Sequence, residues 1–332
     1  MHEKKYILKL MKTIPEFEKI FSFESIFDGW LEFQKGKRKK LDVLEFKNNL
    51  ISNLAELHGD LRRGEYKHGG YRHFKISDPK PRNIHKASVR DRVLHHVLYK
   101  ALYPYFNNLF IQDSYSCRID KGTHRALNRF NQLARKESLG GKQTVWILKC
   151  DIRKCFASID HEILKSILKK HVKCDRTLKV ILEVIDSFET SSGKGIPLGN
   201  LTSQLLVNIY MNELDQFVKR KLKVERYIRY TDDFVIFHQD KNHLNQIVRY
   251  IVLFLDNELR LTLHPNKVHI KTLSSGVDFL GWTHFSHHRV LRTTTKRRML
   301  KNLADNLSVE TRVSYLGMLK WGNTQKLWKM IG

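Results

Sequence analysis

The sequence predicts a mixed α/β (α+β) fold, and three observations carry that expectation. Thr144-Val145-Trp146-Ile147-Leu148 is an apolar run that continues through Lys149 and Cys150 to Asp151, the pattern of a strand ending in an acid. Arg229-Tyr230-Thr231-Asp232-Asp233-Phe234-Val235-Ile236-Phe237 sets two adjacent aspartates between apolar stretches, the pattern of a tight hairpin with carboxylates at its tip. Between and around these strands, longer segments repeat apolar residues at helical spacing.

The elements follow in order. Residues 1–60 read as helical, with Phe46, Leu50, Ile51 and Leu54 forming one apolar stripe, and Lys35-Gly36-Lys37-Arg38-Lys39-Lys40 as an exposed basic loop. Over 70–84, Tyr71, His73 and Lys75 alternate with Arg72, Phe74 and Ile76 before Asp78-Pro79-Lys80-Pro81 breaks the pattern. That is a short hairpin with Lys80 and Arg82 near its turn. A helix over 89–104 has Val93, Val97 and Leu102 as core positions and ends at Tyr103-Pro104-Tyr105-Phe106; another covers 121–136. After the strand 144–151, Phe156 and Ile159 follow a short turn, and Asp160 caps a helix over 161–169. Helices over 177–187 and 201–222 flank a turn at 191–195. The second has Leu205, Ile209, Leu214 and Phe217 on or near one face. Beyond the 227–237 hairpin come a helix over 243–259, short strands at 261–263 and 268–270, and a turn between strands at 277–282. From 285 the chain is expected to be helical and basic, with ten Lys or Arg against two acids.

The chain has 332 residues, long enough for two or three subdomains around a sizeable core. Its 60 Lys plus Arg against 34 Asp plus Glu give a formal charge of +26, spread along the sequence. Such a field favours a polyanion, nucleic acid above an anionic membrane surface. Cys117, Cys150, Cys155 and Cys174 do not form two closely spaced pairs, which argues against structural zinc. No signal peptide and no 18-residue apolar run stand out, so a reduced, cytoplasmic location and no membrane association are expected.

Asp151, Asp232 and Asp233 on two neighbouring strand ends suit a pair of divalent metals about 4 Å apart, which clamp the attacking and leaving oxygens of a phosphoryl transfer. Two Mg2+ are expected, with Mn2+ able to substitute, because hard oxygen ligands are on offer. The expected metal set is those three aspartates with the backbone carbonyl of Ile152. With the charge, this points to a nucleic-acid polymerase. Lys80 and Arg82 suit an incoming triphosphate, as Arg90 and Arg92 do more weakly, and each is equally readable as a solvent-facing charge. Lys267 is placed to protonate or neutralise the departing pyrophosphate. In Gly195-Ile196-Pro197-Leu198-Gly199-Asn200-Leu201-Thr202-Ser203-Gln204, two glycines permit close backbone approach to a base pair. Asn200, Ser203 or Gln204 either caps the following helix or contacts the primer-template. Trp282 either packs the last subdomain with Trp321 and Trp328 or meets the primer-template. In His95-His96, one histidine reads as packed with a satisfied nitrogen rather than as a metal ligand.

These motifs, taken in order, resemble a bacterial reverse transcriptase. Asp151 with Ile152-Arg153-Lys154-Cys155-Phe156-Ala157-Ser158-Ile159-Asp160-His161 resembles the first catalytic motif, 195–204 the next, and Tyr230-Thr231-Asp232-Asp233 the aromatic-x-Asp-Asp motif. Asn266-Lys267 and Phe279-Leu280-Gly281-Trp282 resemble the two that follow, and Ser114-Tyr115-Ser116-Cys117-Arg118 with Lys121-Gly122-Thr123-His124 a fingers motif. The resemblance implies a right-hand polymerase fold: a helical extension at 1–60, fingers at 61–143, a palm with inserted fingers helices at 144–284, and a short basic helical thumb at 285–332. It implies RNA-templated DNA synthesis, with Phe156 stacking under the sugar to exclude ribonucleotides. Lys80, Arg82, Leu198 and Gly199 would meet the nucleotide, Asn200, Ser203, Gln204, Gly281 and Trp282 the primer-template, and Lys267 would donate a proton. Partners would be template RNA, the RNA/DNA hybrid and dNTPs.

Leu198 stands where mobile intron enzymes normally place Gln, and Gln204 where they place Pro. That departure, 121–124 and the short length resemble the reverse transcriptase of diversity-generating retroelements, which copies a template-repeat RNA with errors at adenines beside a small basic accessory protein. A phage-defence enzyme making templated or repetitive DNA on an associated RNA, and a catalytically silent RNA-binding scaffold, are the other readings.

Overall fold

The computed structural model describes residues 13–77, 81–305 and 308–331. Lys80 lies outside the described residues, as do Asp78, Pro79 and the first twelve positions of the expected helical extension. The chain forms two units that interleave in sequence: 1–111, 154–215 and 255–261 make one, and 112–153, 216–254 and 262–332 the other. The four contiguous regions expected above divide the chain on different grounds.

The first unit is mainly helical. The helix Phe23–Phe33 starts at Ser22, whose Oγ accepts from the Ser25 N–H. Ile26, Trp30 and Phe33 are its buried face. Gly29 lets it approach the helix Val89–Leu109 closely, since a Cβ there would lie 2.6 Å from Val97 Cγ2. Val89–Leu109 runs straight through Pro104, against the expected stop at 103–106. Proline removes one helical donor, but Leu102, Tyr103 and Phe106 are all buried around it, and that packing carries the helix past the break. The expected stripe through Phe46, Leu50, Ile51 and Leu54 is also broken. Leu41–Asn48 and Leu50–Arg63 are separate helices meeting at Asn49, Ile51 is 61% exposed, and the buried face of the second helix is Leu54, Leu57 and Leu61. One helical period cannot persist across a change of axis. The expected basic loop at 35–40 is a run of turns, with Lys37 tied back to the Phe33 carbonyl. β1 (Tyr71–Ile76) and β2 (Arg82–Ala87) form the predicted hairpin, with Tyr71 opposite Ala87 and Ile76 opposite Arg82.

The second unit holds a four-stranded antiparallel sheet. β3 (Trp146–Asp151), β4 (Tyr227–Tyr230), β5 (Asp233–His238) and β6 (His269–Thr272) lie in the order β4-β5-β3-β6. On one side Phe130, from the helix Thr123–Glu137, meets Phe237 edge-on at 4.8 Å and Phe279 at 5.5 Å, with Ile147, Ile228 and Val235 in the same core. β7 (Val277–Phe279), β8 (Trp282–His284) and β9 (Arg289–Leu291) make a second sheet. Two expectations need correction here. Residues 261–263 are not a strand. Leu263 makes only an isolated bridge to Ile152, and Pro265, which cannot donate to a ladder, opens a tight helical turn over Pro265–Lys267 before β6 begins. The 285–332 region is not helical from its start. β9 comes first, too short to show a period, and is held by pairing Leu291 with Trp282; helices Thr293–Asp305, Val309–Leu319 and Gln325–Ile331 follow. Among the described residues no helix is long and apolar enough to cross a membrane.

Asp160 shows how strongly a local signal can hold. It is 3% exposed, its Oδ1 accepts from the Glu162 and Ile163 N–H groups, and its Oδ2 takes Arg260 at 2.9 Å. Burial works against the carboxylate charge, but the Arg260 bond and the two backbone donors outweigh it and hold the pKa below the ordinary carboxylate value. Asp160→Ala should therefore lower unfolding free energy by about 1–2 kcal/mol near neutral pH. The depressed pKa makes this contribution full above the unfolded value of about 3.9 and lost as pH falls through the folded one. Urea unfolding of both proteins across that range checks this: the gap between them should close in acid.

Candidate active site

The sheet register brings the acids together. β3 and β5 pair from Trp146 opposite His238 to Asp151 opposite Asp233, so both carboxylates emerge on one face at one end. Alternation puts Lys149, two residues before Asp151, on that same face, and Cys150 on the other. Lys149, 8% exposed, reaches diagonally to Asp233, with Nζ 3.3 Å from Oδ2. On the other flank the His264 N–H donates to the Asp151 carbonyl at 2.7 Å, pinning the Pro265–Lys267 turn to β3. From that turn Lys267 donates Nζ to Asp151 Oδ1 at 2.8 Å.

Asp232 is carried by the two-residue turn between β4 and β5, where Tyr230 pairs with Asp233. The first turn residue, Thr231, has φ +58. Hairpin turns that match strand twist need this left-handed backbone, but a β-branched residue rarely adopts it. The surroundings enforce it. Arg229, fully buried, donates Nη1 to the Thr231 carbonyl at 2.9 Å and Nη2 to Ser114 Oγ at 3.2 Å. Thr231 Oγ1 donates to Ser116 Oγ at 2.5 Å, and the Ile152 N–H donates to the Asp232 carbonyl at 3.0 Å. The segment around Ser114 runs parallel beside β4, exchanging Arg229 N–H to Asp113 carbonyl (2.9 Å) and Tyr115 N–H to Arg229 carbonyl (3.0 Å).

The electrostatics of the site follow from crowding acids in a buried place. Burial first, and the neighbouring Asp151 and Asp232 next, push the Asp233 carboxyl up to about 7 against the pull of Lys149. Asp233 Oδ1 is buried without a hydrogen-bond partner. Among the described residues no three His, Cys, Asp or Glu side chains are drawn together as a ready ligand set; Asp151 and Asp233 instead hold Lys267 and Lys149. The donor set still fits hard divalent cations. It offers carboxylate oxygens on adjacent strand ends, one of them an acceptor with nothing to accept, in a place where added positive charge relieves repulsion.

The other expected residues are placed as follows. In the first unit, the Leu198 carbonyl accepts from the His85 N–H at 2.9 Å, and Gly199, at φ +111, sits where a Cβ would lie 2.7 Å from Ile84 Cγ2. Asn200 is buried and its amide is taken up by β2, donating to the His85 carbonyl at 2.8 Å and accepting from the Ala87 N–H at 3.3 Å. Ser203 is 1% exposed. The Asn200 side chain thus tethers the helix start to β2 and Ser203 is packed away, while Gln204 is exposed. The Phe156 carbonyl accepts from the Ile196 N–H, its ring is partly exposed, and Arg82 is exposed. In the second unit, Trp282 is 3% exposed and packs with Met299, Leu303 and Leu319, the packing alternative of its two readings. Gly281 forms the β7–β8 turn at φ +83. Sequence reasoning gave no role to Lys149 or Arg229, and named Ser114 and Ser116 only within a fingers motif and not beside the Asp232 turn. The signals were present: a lysine two before a strand-end acid, and an arginine inside an apolar strand that must find buried acceptors.

A family model for reverse transcriptase (RNA-dependent DNA polymerase) matches residues 74–284. Protein YkfC of Escherichia coli (strain K12) is 24% identical over 288 residues, covering 74% of this chain and 73% of that protein. The group II intron-encoded protein LtrA of Lactococcus lactis subsp. cremoris is 24% identical over 306 residues, covering 71% of this chain and 49% of its own length. Among solved structures, telomerase from Candida albicans in complex with a fragment of telomeric RNA superposes with a TM-score of 0.52 at 11% identity. Telomerase from Candida tropicalis, likewise with telomeric RNA, gives 0.51 at 12%. These cover 78% and 83% of this chain but only 52% and 56% of theirs. The likeness gives the fold, the reverse-transcriptase polymerase fold that the motifs led us to expect.

Arg229→Met should lower unfolding free energy by about 2–3 kcal/mol, because the Thr231 carbonyl and Ser114 Oγ lose their donor. Urea titration should show a lower midpoint at unchanged slope; an unchanged midpoint would contradict this account of the turn.

Proposed function

Because the chain belongs to the reverse transcriptase (RNA-dependent DNA polymerase) family, we propose that it is an RNA-directed DNA polymerase that copies a template RNA into cDNA by two-metal nucleotidyl transfer. The observation that carries this reading is Asp151 set opposite Asp233 at the sheet end, with the Asp232 turn beside them. Asp151, Asp232 and Asp233, with the Ile152 backbone carbonyl, are the residues that would hold Mg2+ or Mn2+. When bound, such cations supply activation of the primer 3′-hydroxyl and stabilisation of the departing pyrophosphate.

The chain's own groups have separate tasks. Lys149 offsets the charge of the Asp233 carboxylate. Lys267, held at Asp151, supplies a proton or a compensating charge to the leaving group. Phe156 takes the sugar and excludes ribonucleotides, Lys80 and Arg82 take the triphosphate, and Leu198 and Gly199 border the nascent base pair. Gln204 and Gly281 remain the primer-template contacts. The partners are template RNA, the RNA/DNA hybrid and dNTPs. We assign the subtype to diversity-generating retroelements, error-prone at adenines and acting with a small basic accessory protein, on Leu198, Gln204 and the 121–124 segment.

Incorporation of dNTPs on a primed RNA template containing all four bases, with product sequencing, tests this. The wild-type chain should make templated DNA, and Asp232→Ala and Asp233→Ala should each reduce the rate by about 10³-fold or more. Near-normal turnover by Asp232→Ala would overturn the assignment. Errors clustered opposite adenines support the subtype, and evenly spread errors oppose it. Repetitive or untemplated products would favour the defence reading, and RNA binding without incorporation the scaffold.

A further inference from the structure

Ser116 belongs to a motif that the sequence places with the fingers, yet the structure puts it in the same unit as the catalytic sheet, against the aspartate turn. We propose that Ser116 is a positioning residue: its hydroxyl latches Thr231 in the left-handed backbone that sets Asp232 and Asp233 in place. The proposal rests on the polymerase reading for its kinetic consequence only.

Three observations carry it. Thr231 stands at φ +58, which its branched Cβ disfavours, so the turn relaxes unless something holds it. The Thr231 side chain is held by Ser116 Oγ at 2.5 Å, while Arg229 holds its carbonyl. Ser116 itself is 4% exposed and sits in a braced segment, with the Tyr115 carbonyl accepting from the Gly122 N–H at 3.0 Å and the Ser114 carbonyl from Arg118 at 2.8 Å. Thr231 is bonded directly to Asp232. A return of Thr231 to ordinary φ rotates the next peptide and moves the Asp232 carbonyl away from the Ile152 N–H, now 3.0 Å distant. Ile152 is thus a built-in reporter of the latch.

The test compares Ser116→Ala, Thr231→Val, the double variant and the conservative Ser116→Thr. In single-turnover incorporation, each single change should lower the maximal rate about tenfold, the weight of one lost hydrogen bond, with half-saturating dNTP moving less than about twofold. The double variant should be no slower than the slower single one, since both remove the same bond. Ser116→Thr should recover most of the rate. Amide exchange at Ile152 should quicken about tenfold in Ser116→Ala, with the helix His161–His171 unchanged. An unchanged rate and unchanged Ile152 exchange in Ser116→Ala overturn the proposal. So do losses that multiply in the double variant, or a loss that disappears when the rate is expressed per folded molecule. A wild-type chain that incorporates nothing, by itself, counts against the polymerase reading and not against the latch, which Ile152 exchange then decides alone.

Discussion

The antiparallel register of β3 on β5 is the constraint on which the site depends. It places Asp151 directly opposite Asp233, and it does so only in this alignment. A slip of one residue would send one acid to the opposite face of the sheet and bring Cys150 or Phe234 into its place. The register is specified far from the acids, by Ile147, Val235 and Phe237 entering one core and by Phe234 and Ile236 being buried on the reverse side. Chemistry at the strand ends is therefore a by-product of apolar packing along their length.

Such a register forces like charges into a poorly solvated corner, and the chain answers with positive groups of different kinds. Lys149 comes from the same strand as Asp151 and is nearly inaccessible, whereas Lys267 arrives on a separate turn and is partly exposed. The first is built into the sheet; the second can change partner without disturbing it. Backbone strain at Thr231 is sustained by its neighbours too, through the Arg229 and Ser116 hydrogen bonds. A strained turn residue, a buried lysine and a carboxylate oxygen without a partner thus meet at one spot, the combination expected where function competes with stability.

Much of this was legible in the sequence, for definite reasons. The strand ending in Asp151, the hairpin around Asp232, the Asp160 cap and the β1–β2 hairpin all rest on patterns confined to a few residues. What escaped was decided by distant ones. Pro104 reads as a stop until the burial of Tyr103 and Phe106 is known, and Ile51 reads as core until the helix is seen to break at Asn49. Asn200 looks like a free polar contact until β2 takes both ends of its amide. Lys149 and Arg229 can be seen to need buried partners, but not which partners those are. Their meaning depends on which strand lies alongside, and one-dimensional spacing carries no record of that.

The interleaving of the two units has a consequence for how the protein is made. The chain passes from one unit to the other after residues 111, 153, 215, 254 and 261. Domains usually complete themselves one after another as synthesis proceeds. Here the first unit cannot be finished until its last short piece, 255–261, has left the ribosome, long after its first hundred residues emerged. β3 must likewise wait for β5 and β6 before its buried lysine and acid have company. The nascent chain is thus committed to holding open, unpaired surfaces for most of its translation. Neither unit can be cut out and expressed as a contiguous fragment.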